Sequence, residues 1–261
     1  MSQVHVSRNF IEKYRLSSKV NQAIVDGILQ GYKNYLIERR EKKQSMHISD
    51  AYAWVRGNHI DDQVARECKE LNIKFEKAKA GYSWGYLQYK LEDEKRMFIV
   101  KSGRYFNKEN YLKKNNNESK ASYLDTLAKI NDKIKFPENL IQEDDDLNQI
   151  QVTLFAEEVM RNLDESEEKK LKDEFDAFYI VIFEVDKHHV ISKIQLLLPN
   201  PSNKRSYVIE DLTELISKSS VTFTNEDYEV LVDDVYAELD PTNAVHYGIV
   251  PITETEEEKE G

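Results

Sequence analysis

The spacing of apolar residues switches between helical and alternating along the chain, and those switches mark its elements. From Ser17 to about Lys43, the residues Val20, Ile24, Ile28, Tyr32, Tyr35 and Leu36 fall at mostly three- and four-residue intervals. This spacing predicts an amphipathic helix with one buried stripe. Gly27 and Gly31 lie four apart on it and predict close approach of a second element. The stretch "WVRGNHIDDQVAREC", residues 54–68, predicts another helix. Asn58 is its expected N-cap, Asp61 and Asp62 give an acidic first turn, and Asp62 and Arg66 form an i,i+4 pair. Ile60, Val64, Cys68 and Leu71 make its apolar stripe.

Residues 74–91 and 96–106 then alternate β-branched and aromatic residues around the polar turn "LEDEKR" and predict a strand pair. A helix over Glu118 to Lys133 uses Tyr123, Leu124, Leu127 and Ile130. The strongest pattern is "FDAFYIVIFEVDKHHVISKIQLLLP". Phe178 to Val185 is almost continuously apolar, as a strand covered on both faces should be. Lys187 and His188 turn the chain, and Val190 to Leu198 returns as the second arm of a central β-hairpin. Helices near Ile209 to Lys218 and Asn225 to Leu239 follow, with "AVHYGIVPI" as a short edge strand. Together these predict an α+β fold, with N-terminal helices packed on a mostly antiparallel sheet, a central hydrophobic hairpin and C-terminal helices.

Charge divides the same chain differently. Of 261 residues, 33% are charged and the net charge is −11. Residues 1–137 hold 27 Lys+Arg against 17 Asp+Glu, while residues 138–261 hold 10 against 31. Hence a basic part, 1–137, and an acidic part, 138–252, are expected within one compact unit, followed by a disordered acidic tail, 253–261. Such asymmetry points to charged partners. The acidic runs "QEDDDLNQ" and "DESEEKKLKDEFD" read as solvated faces or as docking surfaces for a basic partner. No apolar run reaches the roughly 20 residues of a membrane span, and the N-terminus lacks a secretory pattern. With one cysteine, Cys68, there is neither an internal disulfide nor a thiolate metal cluster. A cytoplasmic protein without membrane contact is expected.

Three groups of residues carry candidate chemistry. Arg56, Asn58 and His59 at a helix N-terminus form an anion or substrate site, since free N–H groups there favour negative charge; the plainer reading is helix initiation. Lys79, Tyr82, Trp84, Lys101 and Arg104 interleave cations with rings, as single-stranded nucleic-acid binding requires; the plainer reading puts the rings in a core. Glu184 and Asp186 share one strand face. With the turn at Lys187-His188, Asp186 lies opposite His189, Glu184 opposite Ile191, and Lys193 one pair further. Paired acids beside a lysine suit Mg or Mn in a nuclease-like centre, although the spacing matches no nuclease motif, and a hairpin end emerging into solvent explains the same residues. No zinc spacing, phosphate loop or nucleophile elbow is present.

The order "W-x-R-x-N-x-I-D" (Trp54 to Asp61), a strand pair, and a hydrophobic strand ending in "EVD" with a return strand ending at Pro resembles uncharacterised bacterial and phage proteins of Firmicutes type. The resemblance covers residues 50–215 and implies a mobile-element or phage–host conflict context, with no catalytic residue carried over. The leading expectation is therefore a non-enzymatic interaction protein, a regulator or inhibitor without cofactor. It would act on another protein through charge-complementary surfaces and self-associate as a homo-oligomer. A nucleic-acid-binding or metal-dependent nuclease-like protein is the alternative, and an acidic DNA mimic the third reading.

Overall fold

The computed structural model describes residues 2–80, 84–103, 106, 108–109, 111, 123–137 and 165–232. Two helices, α1 (Ser2–Tyr14) and α2 (Ser18–Ser45), open the chain, and α3 (Arg56–Lys69) folds back along α2. Strands β1 (Lys74–Ala80), β2 (Trp84–Leu91) and β3 (Arg96–Ser102) follow, then α4 (Tyr123–Ala128) and α5 (Glu165–Glu174). The second half continues with β4 (Ala177–Val185), β5 (Ile191–Pro199), β6 (Ser206–Asp211) and α6 (Asn225–Val232). The six strands lie in sequence order, every neighbour antiparallel except the parallel pair β3–β4. Helices cover both faces of this sheet, and the architecture is the expected α+β.

The sheet separates two cores. On one face α1, α2, α3 and α6 pack over Tyr89, Phe98, Tyr179, Val181, Phe183 and Leu196. On the other, α4 and α5 pack over Met97, Ile99, Phe178, Ile180, Ile182 and Leu197. Both side-chain sets of β4 are thus enclosed, and Ala177 to Phe183 are all buried, which is why that strand reads as an unbroken apolar run. Each large side chain there contributes about 1.5–3 kcal/mol of burial. Asn131 is also enclosed, but every polar atom of its amide is used. Its Nδ2 donates to the Phe178 and Pro199 carbonyls (3.0 and 2.8 Å), and its Oδ1 accepts from the Phe178 N–H (2.8 Å).

The helical stripe of α2 is buried as its period requires, and Ser17 caps it by accepting from the Val20 N–H. The glycine pair has a steric cause. A Cβ on Gly27 would lie 2.6 Å from the Val64 Cα, and one on Gly31 2.5 Å from the Ile60 Cα. Helices α2 and α3 therefore touch backbone to backbone. Among the described residues no helix is long and apolar enough to cross a membrane.

Several expected elements are corrected. Asn58 is not an N-cap: a 3-10 turn over Asp50–Val55 runs directly into α3, which begins at Arg56 with no side-chain cap. The stretch 74–91 is two strands rather than one, because Lys74 pairs with Lys90 and Ala80 with Trp84. Strand β3 stops at Ser102, short of residue 106. The helix expected from Ile209 is instead the end of β6 followed by a 3-10 turn, Thr213–Lys218. The turn after Pro199 returns the chain along β5, where Ser206, Tyr207 and Ile209 are buried. Helix α1 went unpredicted. The tail 253–261, "AVHYGIVPI" and "QEDDDLNQ" lie outside the described residues.

Candidate functional site

Strands β3 and β4 run in the same direction, so their carboxyl ends sit side by side. In open sheets this is where crevices and ligand sites form. The three expected groups are drawn toward that end, but the sheet divides them between its faces.

Glu184 follows Phe178, Ile180 and Ile182 on the α4–α5 face of β4. A β-bulge between Glu184 and Val185 changes the expected register. Glu184 pairs directly with Lys193, and Val185 rather than Glu184 faces Ile191. Gly103, just past β3, makes room for the acid: a Cβ there would lie 2.6 Å from the Glu184 Cγ. Asp186 is engaged differently. Its Oδ1 accepts from the His188 and Val190 N–H groups (2.8 and 3.0 Å) and so closes the hairpin turn, with His189 left-handed at φ 63°. A carboxylate in an Asx turn is held by its own backbone. Among the described residues no group of three or more His, Cys, Asp or Glu is placed to hold a metal ion.

On the opposite face, α2 and α3 bring His59 to Glu38, with Nε2 3.0 Å from Oε2. His59 also lies against the Tyr35 ring, centroids 6.2 Å apart. His59 and Glu38 border a shallow open depression with Asn34, Ile37, Glu41 and Lys42. Arg56 acts electrostatically on Tyr32, whose hydroxyl donates to the His189 carbonyl (2.7 Å). Asn58 is exposed. Arg56 thus acts on the tyrosine that holds the hairpin turn, while His59 is engaged by Glu38 and Tyr35, and α3 does not start at Asn58 as the anion-site reading assumed.

The basic aromatic group does not form one surface. The strand register places Lys79, opposite Gly85, on the α3 side. Lys101 lies on the α4–α5 side, donating to the Tyr123 hydroxyl (2.6 Å) with its Nζ 5.1 Å from that ring. Tyr89, Phe106 and Tyr111 are core residues, and Tyr89 stacks on Phe98 at 4.6 Å. Tyr82, Arg104 and the Trp84 side chain lie outside the described residues.

Two features were not anticipated. Asp61, in the second turn of α3, packs half-buried against β2, where the Tyr89 hydroxyl reaches its Oδ1 (3.2 Å) and its carbonyl (2.9 Å). Burial pushes this carboxyl up from 3.8 to about 7, opposed by hydrogen bonds from Tyr89 and the Leu87 backbone and by the charge of Lys101. One signal was present: Asp61 sits beside Ile60 at the margin of the apolar stripe. The second is a row of α2 cations, Lys33, Arg40 and Lys43, that meets the rear half of the chain. Cys68 is buried in the core, and burial pushes its thiol up to about 12, far from a reactive thiolate.

Basic and acidic parts therefore meet within one subunit. Arg40 pairs with Asp227 (3.6 Å) and Lys129 with Glu168 (2.9 Å). The polarity also reverses, with Lys204 on Asp125 and Lys172 on Asp132. Strand β1 remains outside this network. It is one of the two edge strands of the described sheet, Phe75 is 48% exposed, and Lys77 and Lys79 are exposed on the same strand face. No protein-family model matches the chain, and neither the curated proteins nor the solved structures contain a match.

Proposed function

We propose that the chain is an interaction protein, a regulator or inhibitor that engages an acidic segment of another protein along the outer edge of its sheet. The observation that supports this reading is β1. Its outer backbone edge has no described neighbour, and one side-chain face presents Phe75, Lys77 and Lys79 to solvent. An exposed edge offers main-chain hydrogen bonds to an added strand, and two lysines beside an aromatic ring favour acidic residues flanking an apolar one. Edge lysines also deter unwanted strand pairing, and a strand serving only that purpose binds no acidic chain.

The distinguishing experiment is titration with poly-glutamate and with a single-stranded oligonucleotide of matched charge. The expected result is binding of poly-glutamate at about 0.05 M salt, weakened at least about tenfold near 0.5 M and lost in the double variant Lys77→Glu/Lys79→Glu. Absence of binding at low salt, or preference for the oligonucleotide, removes the reading.

A second reading, a metal-dependent nucleic-acid-processing protein, draws support from Glu184 facing Lys193 beside the carboxyl end of the parallel pair. It expects DNA or RNA cleavage with Mg or Mn that Glu184→Gln abolishes. Intact substrate under those conditions excludes it.

A further inference from the structure

From β6 onward the described chain runs beside α2 along most of the helix. Asn21 donates to the Glu210 carboxylate (2.9 Å) and Gln22 to the Leu215 carbonyl (3.4 Å). Beyond Ser219 the donors become cations. Lys33 reaches the Thr222 carbonyl (2.6 Å), Arg40 the Glu226 carbonyl, and Lys43 the Val230 carbonyl (3.3 Å). These three α2 residues span about 15 Å of helix, and their acceptors follow in the same order.

The segment they hold is the turn before α6 and the described part of that helix, Asn225–Val232. Asp227 supplies one half of a capping box: its Oδ2 accepts from the Thr224 N–H (2.8 Å) and hydroxyl (3.1 Å). Arg40 lies 3.6 Å from the same carboxylate. The apolar attachment is Phe223 against Tyr32 (6.1 Å), Val221 and Tyr228 half-buried against the same core, and Val230 and Leu231 buried. Half-buried apolar side chains combined with cation contacts at the rim are the marks of a unit that opens before the rest.

We infer that Val221–Val232 is a latch that leaves α2 as a unit while the sheet stays folded, and that its opening uncovers Tyr32 and the row Lys33, Arg40 and Lys43 for an acidic partner. The second clause rests on the acidic-partner reading above; the first stands on these contacts alone. Screening weakens the cation contacts directly, so added salt promotes opening.

Amide hydrogen exchange on the full chain tests the latch. Residues 221–232 are expected to exchange several-fold faster at about 0.5 M than at about 0.05 M salt. In Phe223→Ala and Asp227→Asn, which keep all three cations, the rate is expected to rise about tenfold or more, with β4 amides unchanged. Exchange of 221–232 only in step with β4, at every salt concentration and in both variants, overturns the latch. Poly-glutamate titration of Asp227→Asn then reads the second clause, with tighter binding than wild type expected. Fast exchange with unchanged affinity leaves the latch standing and removes α2 as an acidic-partner surface.

Discussion

Along one stripe α2 presents Gly27 and Gly31 to α3; along another it presents Lys33, Arg40 and Lys43 to residues 222–230. The first contact is steric. Backbones touch at the glycines, and a single added methyl has nowhere to go. The second is electrostatic: long side chains reach main-chain carbonyls at the rim. The same helix is thus fixed permanently on one side and held conditionally on the other. Screening by salt acts on the second contact and hardly touches the glycine contact.

The sharpest way to break this comparison is Gly31→Ala. Its Cβ would meet the Ile60 Cα at 2.5 Å and the His59 carbonyl at 2.6 Å, both backbone atoms. Although alanine is the better helix former, overpacking is expected to cost a net of about 1–3 kcal/mol. Urea denaturation would show a lower midpoint at unchanged slope, and an unchanged midpoint would mean that the helices separate without cost.

Asp61 extends the steric side with a charge. Its folded pKa is raised from 3.8 to about 7, so the folded state binds the proton more tightly than the unfolded chain. The resulting stability is complete below about pH 4 and is lost as pH rises toward 7. Asp61→Asn is expected to be more stable than wild type by about 2 kcal/mol at pH 8, since residual solvent contact of the half-buried carboxylate softens the penalty on its charged form. The gain should vanish near pH 4 in thermal melts, and the same gain at both pH values would show that ionisation is not the cause.

The rim contact has the opposite pH sign. Burial opposes ionisation of Asp227, but hydrogen bonds from Thr224 and the charges of Lys33 and Arg40 hold its carboxyl below the usual range. Its contribution is present above the ordinary carboxylate pKa and lost as pH falls through the lowered one. Asp227→Asn is expected to cost about 1 kcal/mol at neutral pH and nothing in strong acid. The smallest effect belongs to Lys77→Glu/Lys79→Glu, which should leave stability within about 0.5 kcal/mol while abolishing poly-glutamate binding.

The candidate sites were legible unevenly. Ile60, Val64 and Cys68 read correctly because a helical stripe repeats every three to four residues, and β4 read correctly because burial on both faces leaves no polar interruption. Lys79 and Lys101 read as one basic surface because sequence proximity carries no face. Only the β1–β2–β3 register places them on opposite sides of the sheet. The bulge after Glu184, together with a turn one residue longer than expected, likewise moved Lys193 into direct register with it, a two-residue shift that no local pattern encodes.

By itself the sequence determined the α+β class, a close approach of some second element at Gly27 and Gly31, the central hairpin and the charge imbalance. Each follows from local period, from residue size or from simple counting. Tertiary structure alone decided the meeting of α2 cations with carbonyls nearly 190 residues away, the packing of Asp61 against Tyr89, and the exposure of β1 at the sheet edge. Main-chain carbonyls are identical in every residue, so a contact made to them leaves no mark in side-chain order until the chain has folded.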